Sequence, residues 1–264
     1  MRKLIISVSI AAAAMILTSC ASLYIPTGNN IPFLEEKHEA QIEVGTSTNS
    51  LYLMSAFAIT DKWAVMANGT LSFYNFSNTY AMFPSSEGGY WSPGSDDKYA
   101  HSYGELAFGR YNLMNSKVFK LEAFAGGGYG YASDSHFKEV PKHDNKYFNV
   151  FIQGNIGHKH PFSRNRTLEV GGALRLAYTH YAETFHYTQS KTTKHLNGIH
   201  LEPTLFIKAG SEMVRGVFKL GICPTGIFGE DRFTAYVDDR YSTFFHASLG
   251  INIKIGGNKQ KAER

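Results

Sequence analysis

Only two cysteines, Cys20 and Cys223, stand in 264 residues. No cysteine pair with zinc-ligand spacing is therefore present. After Leu17 there is no apolar run long enough to cross a membrane as a helix, so any further bilayer contact must come from strands. Charge of one sign is also missing: 26 Lys and Arg against 22 Asp and Glu leave +4, neither gathered on one stretch nor interleaved with a recognition motif. That excludes the electrostatic footprint of a nucleic-acid binder. No unit recurs at a fixed period and no composition shift marks a second domain. Gly126-Gly127-Gly128-Tyr129-Gly130 lacks the lysine and helix of a phosphate loop, and reads as a strand whose glycines admit neighbouring bulk.

What is present is alternation. In Thr167–Tyr178 the even positions carry Leu168, Val170, Gly172, Leu174, Leu176 and Tyr178, and the odd ones Thr167, Glu169, Gly171, Ala173, Arg175 and Ala177. Successive strand side chains point to opposite faces, so this stretch has one greasy face and one of small and charged groups. The pattern recurs near Ala40–Gly45, Leu51–Ile59, Val65–Phe73, Tyr103–Tyr111, Val118–Tyr131, Phe148–Ile156, Ile199–Lys208, Val217–Ile222 and Phe244–Ile255. The 25 glycines, 16 tyrosines and 19 phenylalanines suit such a β-rich chain with many turns. Polar segments at Asn75–Ala100, Ser133–Asn145, Glu183–Asn197 and Pro224–Arg240 are expected to be long loops, and they alternate with short connections. The expected fold is all-β: an antiparallel up-and-down barrel of about ten strands, with short periplasmic turns and longer outer loops. An even strand count brings both chain ends to one side.

The first residues carry the most specific motif. Arg2 and Lys3 precede an apolar run from Leu4 to Leu17, the layout of a secretory signal. Leu17-Thr18-Ser19-Cys20 resembles the bacterial lipobox, in which small residues precede a cysteine that is lipidated and becomes the first residue after cleavage. The expected division is signal peptide 1–19, lipidated tether 20–37, barrel 38–257 and basic tail 258–264. The lipid at Cys20 is expected in the periplasmic-facing leaflet, with both termini periplasmic. An acylated Cys20 leaves Cys223 alone, without an internal disulfide, and Gly221-Ile222-Cys223-Pro224 is a setting for a buried, inert thiol.

Alternation does not say which face looks outward. With the apolar faces inside, the chain would be a soluble barrel able to cage a greasy ligand, as lipocalins do. The other face decides between these. Gly126, Gly128, Gly130, Gly171, Ala173, Ala177, Ala107 and Gly109 are small residues mixed with isolated charges, the filling a narrow lumen needs. Glu43, Glu105, Glu122, Glu169 and Glu202 share that face with Lys120, Arg175, Lys208, Lys219 and Lys254, near charge balance. They are expected to close the lumen as an ion-pair network, while Leu168, Val170, Leu174 and Leu176 meet lipid. Trp63, beside a short turn, and Phe73, Tyr129, Tyr131 and Tyr178, beside long loops, fall where interfacial girdles are expected.

Eleven histidines raise the question of a metal. His180, His186, His195 and His200 flank one loop and His158 and His160 one turn, but neither spacing is a zinc pattern. They are expected to be solvated, with no metal, cofactor or catalytic site assigned. A protease reading rests on the omptins, ten-stranded outer-membrane barrels with acidic residues and a histidine at the outer rim. Asp96, Asp97, Asp238, Asp239 and His180 are the corresponding candidates, with no extended motif match.

Taken together, Leu17–Cys20 and the strand series to Ile255 resemble small bacterial outer-membrane β-barrel lipoproteins of unassigned function. One departure is that the chain runs past Ile255 into Gly256, Gly257 and a basic tail rather than ending on an aromatic. The leading expectation is a non-enzymatic, monomeric outer-membrane barrel with surface loops, serving envelope integrity or adhesion. Its partners would be outer-membrane lipid, the barrel-assembly and lipoprotein-sorting machinery and an unidentified extracellular ligand, with no nucleic acid. A lipid-anchored periplasmic barrel holding a hydrophobic ligand comes second, and an outer-rim hydrolase third. Arg175→Leu is expected to lower thermal stability more than Leu174→Ile, because it strands a lumen acid; equal melting of the two variants would refute a charged lumen.

Overall fold

The computed structural model describes residues 28–47, 50–75, 98–114, 116, 118–135, 142–163, 165–186, 191–228, 233–234 and 245–256. The alternating stretches form β1 (Ala40–Ser47), β2 (Ser50–Ala58), β3 (Trp63–Asn75), β4 (Lys98–Arg110), β5 (Phe119–Ser135) and β6 (Lys142–Ser163). They continue as β7 (Arg166–His186), β8 (Lys191–Ser211), β9 (Val214–Ile222), β10 (Thr225–Phe228), β11 (Phe233–Thr234) and β12 (Phe245–Ile255). All pairings are antiparallel and join chain neighbours, except that β10 pairs with β8 and β12 with both β1 and β9. The β1–β12–β9 seam, with β8 on β9, closes the sheet into a barrel.

β9 and β10 lie end to end along β8 and count as one wall strand, so the barrel has ten. The interruption falls at Cys223-Pro224, close to Pro203 on β8. Two prolines there lack amide donors, which breaks the ladder, while the Leu201 amide still reaches the Pro224 carbonyl at 3.1 Å.

The two faces differ sharply. Leu106, Leu205, Leu51 and Ile152 are 60–70% exposed on the outside, whereas Arg175, Lys208 and Lys219 are wholly buried within. Leu174, Leu176 and Val170 of β7 face outward with them, as do Trp63, Tyr129 and Tyr178. A continuous apolar exterior of this extent is far beyond what a monomeric soluble protein shows. A greasy interior of the lipocalin kind is thereby excluded among the described residues.

Two expected loops and one expected short connection are partly strand. Pairing of β7 with β8 continues through Glu183↔Lys194 to His186↔Lys191, and β5 with β6 through Asp134↔His143. The turn segment 158–166 is likewise absorbed into β6 and β7. Polar residues there do not alternate with apolar ones, so period two gives no signal, but the backbone ladder continues regardless. The barrel is lopsided as a result. β6, β7 and β8 hold 22, 21 and 21 residues, and across the lumen β1 and β2 hold 8 and 9. The latter lie at or just under the roughly 9–11 residues that cross a hydrocarbon layer; the former make a tall wall facing a low lip.

Close approach across the seam needs glycine at Gly45. A methyl there would overlap the Leu249 carbonyl oxygen and the Tyr52 ring, whereas one on outward-facing Gly154 would meet nothing within 4 Å. Gly45→Ala is expected to lower unfolding stability in detergent by about 1–3 kcal/mol, and Gly154→Ala to leave it within about 0.5 kcal/mol.

Candidate functional site: an occupied lumen

Residues 28–34, expected to belong to a tether outside the barrel, lie inside it. Asn29, Ile31, Phe33 and Leu34 are all at most 2% exposed. The segment runs from Gly28, beside Ser248 and His246, to Glu35 among the lysines at the short-turn end. Its apolar side chains explain the entry. Ile31 and Phe33 pack on Ala173 and Phe206, with the Phe33 and Phe206 rings 5.4 Å apart, and Leu34 joins Ala56, Met66, Phe124 and Phe151. Phe33 takes φ 49°, a left-handed backbone that costs a bulky residue about 1 kcal/mol or more. Its ring fits because Gly157 leaves the space a side chain would fill.

The lumen charges hold this segment as well as one another. Arg175 donates to both carboxylate oxygens of Glu105 (2.9 and 3.0 Å) and to Gln153 Oε1 (2.7 and 3.0 Å), with its guanidinium 4.1 Å above the Phe151 ring. Gln153 Nε2 donates to the Asn30 carbonyl at 2.7 Å, Asn30 Nδ2 to Asn68 Oδ1 at 2.7 Å, and Asn68 Nδ2 back to Glu105 at 2.6 Å. A closed hydrogen-bonded circuit thus passes through the segment. Lys219 bridges Glu43 (2.6 Å) and the Asn29 carbonyl (3.0 Å), and Lys208 donates to the Ile31 carbonyl. Glu122 accepts the Leu34 amide and Asn155 Nδ2, each at 3.0 Å.

At the short-turn end Glu35 sits among Lys120 (3.1 Å), Lys159 (3.0 Å) and Lys254 (2.9 Å), and Lys254 also reaches Glu39 at 2.9 Å. Glu169 pairs with Arg215 rather than with Arg175. Glu202 is buried, and its carbonyl accepts Asn29 Nδ2 at 2.9 Å. All ten sequence-derived lumen residues therefore point inward, Lys254 half-buried and the rest buried. Sequence reasoning missed the segment's partners, Asn29, Asn30, Ile31, Glu35 and Glu39, and the donor Arg215. A tether that contains Ile31, Phe33 and Leu34 is too apolar to stay in water, and that was the available signal.

Toward the long-loop end the lumen is aromatic. Tyr103, Tyr147, Tyr181 and Cys223 cluster, His101 and Tyr147 bond at 2.7 Å, and His200 bonds Tyr181 at 2.7 Å and Thr225 at 2.9 Å. His200 is thus buried rather than solvated, because its parity on β8 turns it inward. His180 faces outward, stacked 5.5 Å from His195. Among the described residues no group of three His, Cys, Asp or Glu side chains could hold a metal ion. Cys20, Asp96, Asp97, Asp238 and Asp239 lie outside the described residues.

The chain matches no protein-family model and no curated protein. Among solved structures it is similar in fold to the outer membrane protease OmpT from Escherichia coli, at 11% identity over 87% of this chain and 100% of that one, with a TM-score of 0.44. A major outer membrane protein from Thermus thermophilus is also similar, at 11% identity over 82% of this chain and 98% of that one, with a TM-score of 0.37.

Burial alone would raise the Glu35 carboxyl, but Lys254, Lys120 and Lys159 outweigh it and hold the group well below the usual carboxylate range. A carboxyl depressed on folding stabilises above its ordinary value of 4.5, and that contribution is lost as pH falls below it toward the folded value. The stability gap between the native chain and Glu35→Gln is therefore expected to stay constant above that value and to shrink under stronger acid, as read by unfolding in detergent across a pH series.

Proposed function

We propose that this chain is a monomeric outer-membrane β-barrel lipoprotein, acylated at Cys20, whose lumen is sealed and whose work is done by its long-loop end. The observation that carries the reading is the inversion of faces around an occupied lumen: lipid-ready leucines outside, and a buried chain segment held by charged side chains inside. A membrane supplies the solvent in which such an exterior is stable. Asn29–Leu34, all buried among the described residues, take up lumen space that a solute or a greasy ligand would need, which supports the sealed reading.

The proposed role is non-enzymatic, in envelope structure or adhesion. In support, the buried acids are engaged by the protein's own groups, with Glu105 on Arg175, Glu169 on Arg215 and Glu43 on Lys219. Lipid, the machinery that folds barrels and sorts lipoproteins, and an extracellular ligand of the loops are the partners this role implies. No cofactor enters it.

The purified protein is expected to need detergent for extraction, to migrate faster unboiled than boiled, and to give no conductance steps in a planar bilayer. Replacing Ile31, Phe33 and Leu34 together by Ser is expected to release the segment and produce steps. A band indifferent to boiling, or steady conductance in the native chain, overturns the reading.

A further inference from the structure

The position of Gly28 decides which end of the barrel receives the chain before it. Gly28 lies beside Ser248, and Ser248 pairs with Ser47, the last residue of β1. Glu35, seven residues later, is at the opposite, short-turn end with Lys159 and Lys254. The segment thus spans the lumen, and its earlier end stands level with the low lip where β1 gives way to β2.

We infer that the chain preceding Gly28 leaves through the long-loop mouth over this lip, so that the acyl chains on Cys20 enter the leaflet on the long-loop side. The inference rests on the lipoprotein reading above, and it replaces the expectation of an anchor in the periplasmic-facing leaflet. Two return routes are closed. Inside, a return toward the short-turn end would have to pass Asn29–Leu34 and the side chains packed on them: Asn29 and Ile31 are 0% exposed, Asn30 4% and Leu34 1%. Outside, a strand without a pairing partner would expose its amides and carbonyls to hydrocarbon, which offers them no hydrogen-bond partner. The open route is short. Seven residues separate Cys20 from Gly28, and the eight Cα-to-Cα steps reach about 27 Å when extended. That is enough to clear a lip that ends at Ser47, and the tall wall of β6, β7 and β8 stands on the other side of the lumen.

The topology makes this side the outer surface of the cell, because the short turns and Ile255 share the opposite end. The chain would then be a lipoprotein whose anchor faces outward, delivered there through its own barrel.

The test adds one cysteine to the full chain with Cys223→Ala and labels it on intact cells by a membrane-impermeant maleimide. It is read against the Cys223→Ala chain alone, which reports any free thiol at Cys20. Ser22→Cys is expected to label on intact cells to most of the extent seen after denaturation, and Asn258→Cys only after permeabilisation. Each variant is first checked for the boiling-dependent mobility of the native barrel. Label at Ser22→Cys that appears only after permeabilisation or denaturation overturns the route. Incorporation of an alkyne fatty acid, abolished by Cys20→Ala, supports the anchor. Its absence from the native chain overturns the acylation while surface labelling of Ser22→Cys still upholds the route, so the two failures are told apart.

Discussion

A charge removed from water must find its counterpart within hydrogen-bond reach, and in this barrel that constraint organises everything inside the wall. Arg175 is wholly buried, and its donors are committed to Glu105 and to Gln153. Those two partners still have valences left, and the asparagine of the luminal segment takes them up through its carbonyl and, by way of Asn68, its amide. Removing one member of such a set leaves another exposed to a medium that cannot solvate it, which costs about 3–5 kcal/mol. The segment is therefore less a stopper resting in a tube than the missing half of the tube's polar chemistry. Lys208 and Lys219 make the same point, since each donates to its backbone carbonyls.

The wall was legible in the sequence because lipid and lumen impose opposite tastes on alternate residues. Period two located Leu168–Tyr178 and Phe245–Ile255 and assigned inside and outside correctly from the small residues between Glu169 and Arg175. Where a strand carries polar residues on both faces that contrast disappears, so the paired extensions Glu183–His186 and Lys191–Asn197 read as loop. The candidate site was half legible. Parity gave the charged side chains, but parity carries no information on what a non-strand segment does. Asn29–Leu34 has no periodicity, and Pro32 with two asparagines argued for a linker. Its contacts reach residues as distant in sequence as Gln153 and Lys219, and these are fixed only by closure of the whole sheet. The pairing of Glu169 with Arg215 was hidden for the same reason: β7 and β9 are separated by β8, and register across two strands is not written in either.

The unequal strand lengths are a second organising feature. Short β1 and β2 face long β6, β7 and β8, so the polar hairpin extensions stand on one side of the mouth only. Outward His180 and His195 and the inward aromatic cluster around Tyr147 and Tyr181 belong to that raised side.

The luminal segment also bears on how the barrel forms. It precedes β1, and the seam that closes the sheet joins β1 to β12, at the far end of the chain. Bringing those ends together is the most entropically demanding loop closure in the chain. The last strands bring Arg215, Lys219 and Lys254 with them, and Lys219 and Lys254 bind the segment directly. β12 therefore pairs the otherwise open edge of β1, and Lys219 of β9 satisfies the Asn29 carbonyl of the segment. The chain's two ends thus depend on each other: its end completes both the wall against β1 and the polar contacts of the segment that precedes β1.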